Sequence, residues 1–570
     1  MNGAEYIAKE VERRGVTHVF ELVGGMITFL IDALREKTAV QVISMHHEQG
    51  AGFAAEGFGR MVGIPGVALA TSGPGATNLL TAIGSCHFDS TPAVFITGQV
   101  NRAEMKGDRA IRQLGFQETD IVTMAKPITK MAELVMDPAS LPKTIDRAFR
   151  VATQGRPGPV LLDVPMDVQR AEVEPSRPMA AGVSQEPRSL DEFWVDFQRC
   201  LQAASRPLIL AGGGLRCARV VEPFRRLVAG LGIPVVHSLM GVDVLASDDP
   251  MRVGLIGSYG NRWANLAISE CDLMLVLGSR LDVRQTGSDT VGFKGDRRIF
   301  HVDCEMGEMN NRVTGCSALV SGLGDFIGHA LARPGTWAGS GLWRERLADL
   351  KSQWPDTEEL RGVEGINPNA LMRHLSQVAG SAAAFVADVG QHQQWAAQSL
   401  QLRPDQRFLT SGGMGAMGFA LPAAIGASLA TGRQVVVIAG DGGFQLNIQE
   451  LQTIVRLGLP VKMLVIDNGC HGMVRQFQES YFKGRYHSTM WGYSAPDFER
   501  VAAAYGVPSA TVISPSEIDH GLARCFADPG SPFLLVVKVH AMANAYPKLA
   551  FGRPISQMEP LVRSIEMEGT

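Results

Sequence analysis

Tyrosine and tryptophan are scarce in this chain, 7 of each in 570 residues, so no surface for stacking sugars or bases stands out. Charge is sparse as well. The 53 basic and 57 acidic residues leave a net charge of −4, and no run of Lys or Arg interrupts the sequence. This excludes a polyanion-binding groove as the organising feature, and no nucleic-acid partner is expected. Cysteine is thin and scattered. The 8 cysteines contain no C-x-x-C pair, which excludes a disulfide or zinc framework and points to a reducing, cytoplasmic setting. Met1 to Arg14 lacks the apolar core of a signal peptide. The long uncharged stretch Phe408 to Gly432 is broken by glycines and Pro422. That pattern argues against a membrane span and for a tight loop feeding a helix.

Glycine, by contrast, is abundant: 63 of 570 residues, against a usual share of roughly 7%. With no collagen-like period, the surplus belongs in loops where backbone approaches something closely. The length suggests about three domains. Short β-branched runs such as Pro207 to Leu210, Leu273 to Leu277 and Val435 to Ile438 alternate with helical patterns. They predict an α/β protein of three doubly wound parallel-sheet domains. Pro- and polar-rich stretches set the expected divisions. A first domain over 1–170 precedes a linker over 171–192, which carries Pro175, Pro178 and Pro187. A central domain over 193–335 and a linker over 336–365 follow. A third domain over 366–545 leaves a tail over 546–570.

The first and third domains echo each other. Gly73-Pro74-Gly75 and Gly440-Asp441-Gly442 each follow a strand and open a helix, and a Gly/Ala-rich helix lies upstream of each. These features keep one register, which predicts two domains of the same topology about a pseudo-twofold axis.

The third domain also carries chemistry. Asp441 and Asn468 both fall at C-terminal ends of predicted strands, the ends that face a ligand crevice in parallel sheets. A carboxylate, an amide oxygen and the Cys470 carbonyl form a hard-oxygen set suited to Mg²⁺, with positions left for phosphate oxygens. The glycines beside Asp441 would let a diphosphate approach. A turn Asp and a loop Asn would account for either residue alone. Gly413, Gly415 and Gly418 match G-x-G-x-x-G, yet close helix packing explains some of them; we read the loop as the floor beneath a flat cofactor ring, with Met417 as apolar support. In the first domain Glu48 opens a helix, where an acidic residue is commonly just a dipole partner. The adjacent His46 and His47 cannot face one ligand and are read as structural.

With these motifs the chain resembles the thiamine-diphosphate (ThDP) enzymes, and within them the catalytic subunits of acetolactate (acetohydroxyacid) synthases. The resemblance covers nearly the whole chain in pyrimidine-binding, central and pyrophosphate-binding order. It rests on His47-Glu48-Gln49-Gly50, Thr71 to Asn78, Gly115-Phe116-Gln117-Glu118, Gly155 to Val160, Asp388 to His392, Ser411 to Gly418, Gly440-Asp441-Gly442 and Gly472 to Gln476. It implies that Glu48 hydrogen-bonds the cofactor's aminopyrimidine and favours the tautomer that deprotonates thiazolium C2. Met417 would hold the cofactor bent. Val389, Gly390, Gln391, His392, Gly415, Gly442, Gly443 and Met473 would line the ThDP site, with Asp441, Asn468 and Cys470 holding Mg²⁺. In the central domain, Gly212, Gly213, Gly214, Leu239, Met240, Arg280, Arg284, Asp303 and Asp325, with Arg156 from the first domain, resemble FAD-contacting positions. The three glycines alone would fit an ordinary strand–helix turn equally well. In that family the flavin is not redox-active.

The implied activity is decarboxylation of pyruvate and transfer of its hydroxyethyl unit to a second 2-keto acid, giving 2-acetolactate for branched-chain amino-acid biosynthesis. Phe116 and Gln117 would exclude water and orient the acceptor. The implied assembly is a homodimer or homotetramer with active sites between subunits, with a small regulatory subunit as a possible partner. The acceptor pocket departs from the family. Met166 stands where a Lys is usual, and Phe477 where a Trp is usual, beside Met473 and Val474. Phe477 is either a tolerated aromatic exchange or an opening for a bulkier ketone such as a nucleotide-linked keto-sugar. The segment Tyr546 to Ile555 resembles branches associated with surface sugars and secondary metabolism.

Overall fold

The computed structural model describes residues 1–174, 188–333, 335–339 and 341–565. Pro175, Pro178 and Pro187 of the first expected linker lie outside the described residues, as does the end of the tail.

Three parallel six-stranded sheets carry the chain; their inner strands are rich in β-branched and aliphatic residues buried on both faces, while strands at the sheet edges are partly exposed. The N-terminal sheet contains β1 (His18–Leu22), β2 (Gln41–Ser44), β3 (Gly66–Ala70), β4 (Ala93–Gln99), β5 (Met131–Leu134) and β6 (Pro159–Pro165). The central sheet contains β7 (Pro207–Ala211), β8 (Val235–His237), β9 (Arg252–Leu255), β10 (Leu273–Leu277), β11 (Arg298–Asp303) and β12 (Ser317–Val320). The C-terminal sheet contains β13 (Ala384–Ala387), β14 (Arg407–Leu409), β15 (Val435–Gly440), β16 (Val461–Asp467), β17 (Ser509–Val512) and β18 (Phe533–Lys538).

The outer sheets have the same strand order, β2-β1-β3-β4-β6-β5 and β14-β13-β15-β16-β18-β17, as the internal echo in the sequence predicts. The central sheet runs β12-β11-β10-β7-β8-β9, the order of dinucleotide-binding α/β folds, with its topological switch between β7 and β10.

The two outer domains share one apolar core, in which Phe20, Phe53 and Phe58 pack with Phe419, Ile425 and Val437. Helix Glu48–Val62 lies against helix Ala420–Thr431 so closely that side chains would not fit between them. A Cβ on Gly57 would stand 2.2 Å from the Ala423 carbonyl oxygen, and one on Gly426 would stand 1.9 Å from that of Ala54. One sequence offset relates Gly57 to Gly426 and Ala54 to Ala423. The contact is therefore reciprocal, the mark of a twofold relation. Phe53 and Phe419 complete it edge to face, 5.4 Å between centroids.

The central domain has its own core around Trp194, Phe197, Phe224, Phe293, Phe300 and Phe326. Each fully buried ring contributes about 2–3 kcal/mol of transfer free energy. Leu549, Ile555 and Met558 from the C-terminal segment also belong to this core. That segment pairs Lys548–Leu549 with Met558–Glu559, and Arg262 ties it down by donating to the Glu559 carbonyl at 3.1 Å. Among the described residues no helix is long and apolar enough to cross a membrane.

Candidate functional site

In the C-terminal domain the register places Gly440 of β15 beside Ile466 of β16. Asp441 and Asn468 therefore emerge from adjoining strand ends. Asp441 is 2% exposed and accepts a hydrogen bond from the Tyr493 hydroxyl at 2.8 Å. Burial pushes its carboxyl up to about 6, against the Tyr493 hydrogen bond and with help from the nearby Asp467 charge. Asn468 Oδ1 accepts from the Cys470 backbone amide at 3.2 Å, and its amide nitrogen donates to Gln391 at 3.4 Å. Among the described residues no cluster of three or more His, Cys, Asp or Glu could hold a metal. One carboxylate, one amide oxygen and one carbonyl are a donor set that Mg²⁺ accepts, and the desolvated Asp441 carboxyl is a group a cation would stabilise.

The glycines around Asp441 also make close packing contacts. A Cβ on Gly440 would meet His392 at 3.0 Å, one on Gly442 would meet His471 at 2.7 Å, and one on Gly443 would meet Asp388 at 2.6 Å. Their space is taken by side chains that lock the strand ends. His392 is held neutral, its pKa lowered to about 3 by burial, and its Nε2 accepts from the Gly440 amide at 3.2 Å. Asp388 bridges the backbone amides of Val389 at 2.8 Å, Gly418 at 3.0 Å and Ala420 at 2.9 Å. It thereby fixes the exit of the Gly412–Gly418 loop, where Gly415 and Gly418 take φ values of +69° and +81° that favour glycine. Met417 is half-buried on this loop.

In the N-terminal domain Glu48 is buried at the start of its helix, behind the N-cap His47. Its Oε2 accepts from Asn78 at 3.0 Å. Gly75 leaves room for it, since a Cβ there would stand 3.2 Å from Glu48 Oε1. Phe116 is 79% exposed. Gln117 adopts φ +63°, an uncommon conformation for a non-glycine residue. Ser72 donates to its carbonyl at 2.7 Å. Met166 is half-buried just after β6. Met473, Val474 and Phe477 lie on helix Gly472–Tyr481, where the exposed Phe477 packs on Tyr481 at 4.8 Å. Among the described residues, no hydrogen bond, ion pair or ring contact joins the Glu48, Phe116, Gln117 and Met166 group to the Asp441, Asn468 and Phe477 group.

A cavity of about 640 Å³ opens where the three domains meet, a size suited to a large organic cofactor. Gly213, Gly214, Leu239, Met240, Arg280, Arg284, Asp303 and Arg156 all line it. Two expected members do not. At Gly212 a Cβ would stand 2.0 Å from the Gly278 carbonyl. Asp325 lies in the first turn of helix Leu323–Ala332 and points to the exposed side, while Gly322 and Leu323 before it reach the cavity.

The same cavity shows residues that the motifs did not reveal. Arg60, Asp89, Arg216, Asp243 and Arg407 line it. Asp243 pairs with Arg216 at 2.9 Å and Arg407 at 2.8 Å. Burial alone would raise its carboxyl, and the two guanidiniums overcome this and hold it at about 2. The one sequence signal for Asp89 is its place at the C-terminus of helix Leu80–Phe88, where an acidic residue opposes the helix dipole and needs another reason to be there.

Family models match in three consecutive blocks. The thiamine pyrophosphate enzyme N-terminal TPP binding domain matches residues 1–124, the central domain 196–329, and the C-terminal TPP binding domain 388–537. The chain belongs to the thiamine pyrophosphate enzyme family. Among curated relatives, the acetolactate synthase large subunit of Pyropia yezoensis is 36% identical, over 98% of this chain and 95% of the relative. The acetolactate synthase isozyme 2 large subunit of Escherichia coli is 36% identical, over 98% and 99%. Acetolactate synthase 2, chloroplastic, of Nicotiana tabacum is 36% identical, over 96% and 84%. The three sheets are thus the domains of a thiamine pyrophosphate enzyme, and thiamine diphosphate is its cofactor.

Proposed function

We propose that this thiamine pyrophosphate enzyme forms a carbon–carbon bond between two pyruvate molecules, releasing CO₂ and yielding 2-acetolactate. The observation that carries the reading is the end-to-end similarity to acetolactate synthase large subunits. The intact pair of cofactor ends, Glu48 on one outer domain and Asp441 with Asn468 on the other, supports it. The names of those relatives favour a 2-keto acid acceptor over a bulkier ketone.

When bound, thiamine diphosphate supplies a nucleophilic carbon and an electron sink for decarboxylation. The chain's own residues do the rest. Asp441, Asn468 and the Cys470 carbonyl would hold Mg²⁺, and Val389, Gly390, Gln391 and His392 would face the diphosphate end. Glu48, oriented by Asn78, would hold a proton at the aminopyrimidine nitrogen. Met417 would support the rings. Phe116 would exclude water, Gln117 would orient the acceptor, and Met166, Met473, Val474 and Phe477 would wall its pocket.

The three-domain cavity is read as the FAD site. Its volume, its Gly213–Gly214 turn beside the switch point and its Arg156, Arg280 and Arg284 side chains suit a dinucleotide. A homo-oligomer is also proposed, because Glu48 and Asp441 sit in separate groups on one chain while Phe116, Leu446, Val474 and Phe477 are exposed apolar residues. A small regulatory subunit is a partner suggested by the large-subunit relatives. The free cysteines suit a cytoplasmic setting.

A mass-spectrometric product profile tests the reading. Pyruvate is supplied alone and with 2-ketobutyrate or a bulky ketone, in the presence of ThDP, Mg²⁺ and FAD. Acetolactate from pyruvate alone is expected. Product found only with the bulky ketone would overturn the acceptor assignment.

A further inference from the structure

The Gly412–Gly418 loop touches two places at once. Gly412 and Gly413 form part of the wall of the three-domain cavity, while Gly415 and Met417, a few residues on, belong to the expected ThDP site. Each part of the loop is fastened by a different domain. Asp243 of the central domain holds the entrance, accepting from Arg407 at 2.8 Å and from the Phe408 amide at 3.1 Å. Asp388 of the C-terminal domain holds the exit through the Gly418 and Ala420 amides.

Between them stands Asp89 of the N-terminal domain. Its Oδ2 accepts from the Gly412 amide at 3.0 Å and its Oδ1 from the Gly413 amide at 2.6 Å. The side chain is 1% exposed, with Arg60 Nη1 at 4.0 Å. Arg60 in turn donates to the Thr410 carbonyl at 2.8 Å. A Cβ on Gly413 would stand 2.8 Å from Phe88, and one on Gly412 would stand 2.5 Å from Met240 Sδ. The loop entrance therefore lies in close contact with both the N-terminal and the central domain. Ser85 and Ser411 add a hydroxyl contact at 3.2 Å, and Ser411 Oγ accepts from the Ala416 amide at 3.2 Å.

We propose that Asp89 is a positioning residue that couples the central cavity to the ThDP site. By clamping Gly412 and Gly413 it lets a ligand in the cavity preset the loop that carries Gly415 and Met417. A ligand there restrains Asp89, Arg60 and Met240, and the loop then pays less ordering entropy when the second cofactor binds. Coupling of this kind is reciprocal: each ligand raises the affinity of the other by one factor.

The inference rests on the reading of the two sites as FAD and ThDP sites. It is tested on the full chain stripped of cofactors. Flavin fluorescence quenching gives the FAD Kd with and without ThDP and Mg²⁺, and intrinsic tryptophan fluorescence gives the ThDP Kd with and without FAD. The unaltered chain is expected to bind ThDP about five-fold or more tighter when FAD is loaded, with the same factor in reverse. In Asp89→Asn, which keeps the size of the side chain, the factor should fall to below about two. Ser411→Ala releases the same loop without touching Asp89 and should lower the factor part-way. A merely destabilised protein would weaken both affinities and leave their ratio unchanged. An unaltered coupling factor in Asp89→Asn, with both cofactors still bound, would overturn the inference alone. No binding of FAD or ThDP to the unaltered chain would overturn the functional reading and the inference with it.

Discussion

Asn78 donates a side-chain hydrogen bond to Glu48 Oε2 at 3.0 Å, from the short helix Pro74–Asn78 that follows the Gly73 turn. The turn that echoes the Gly440–Gly442 segment of the other outer domain thus orients the N-terminal carboxylate. A hydrogen bond to a charged group contributes about 1.5–3 kcal/mol. Asn78→Ala is expected to lower kcat roughly ten-fold or more with little change in the ThDP Kd. Steady-state kinetics beside a cofactor titration check this, and an unchanged kcat would remove Asn78 from the account.

At the other end, Asp441 is the one carboxylate in the expected Mg²⁺ set. Asp441→Asn should raise the Mg²⁺ concentration needed for half-maximal ThDP binding by about ten-fold or more, since a charged hard ligand becomes a neutral one. Calorimetric titration of ThDP at several Mg²⁺ concentrations reads this directly. Tyr493→Phe, which removes the hydrogen bond to Asp441 Oδ2 but no ligand, should shift it far less.

The seam between the outer domains is set by glycine. Gly426→Ala would place a methyl group 1.9 Å from the Ala54 carbonyl oxygen, and Gly57→Ala meets the reciprocal obstruction. Overpacking of this kind costs about 1–3 kcal/mol. Both variants should lower the midpoint of chemical unfolding by similar amounts. Ala at Gly432, which closes the same helix and has no atom within 4 Å of its would-be Cβ, should lose only the cost of its left-handed φ.

Stability should depend on pH through Asp163. It is buried between Thr97 at 2.7 Å and the Gln99 amide at 2.9 Å. Burial, the largest influence, pushes its carboxyl up to about 7 against those two donors. In the unfolded chain an Asp titrates near ~3.9. Between these values the native state keeps a proton that the unfolded state has lost. The group's contribution is therefore fully present below ~3.9 and is lost as pH rises to about 7, by at most about 1.4 kcal/mol per pH unit. Asp163→Asn removes this loss. Relative to the unaltered chain, the variant should fare better at about pH 8 than at about pH 5 in urea melts, and the opposite trend would contradict the assignment.

Much of this was legible in the residues because parallel strands end where ligands bind. Asp441, Asn468 and Glu48 each follow a β-branched run or open a helix, so their placement needed only local pattern. The repeated strand order of the outer sheets was legible for the same reason. Gly212 and Asp325 are harder to place from sequence, because a glycine or an Asp after a strand looks alike whether it faces a ligand, packs on Gly278 or meets solvent. Residues whose partners lie far along the chain left little trace. Asp89 meets Gly412 and Gly413, Asp243 meets Arg407, and Leu549 and Met558 enter the central core, all across separations that no local period encodes.

The central claim is tested most directly by following CO₂ and acetolactate together, with pyruvate as the only carbon source, in the unaltered chain and in Glu48→Gln. The account predicts one CO₂ per acetolactate, dependence on added ThDP and Mg²⁺, and a loss of about a hundred-fold or more in Glu48→Gln, the scale of a directed proton transfer. Acetolactate formation that proceeds unchanged in Glu48→Gln, or CO₂ release without any acetolactate, would contradict it.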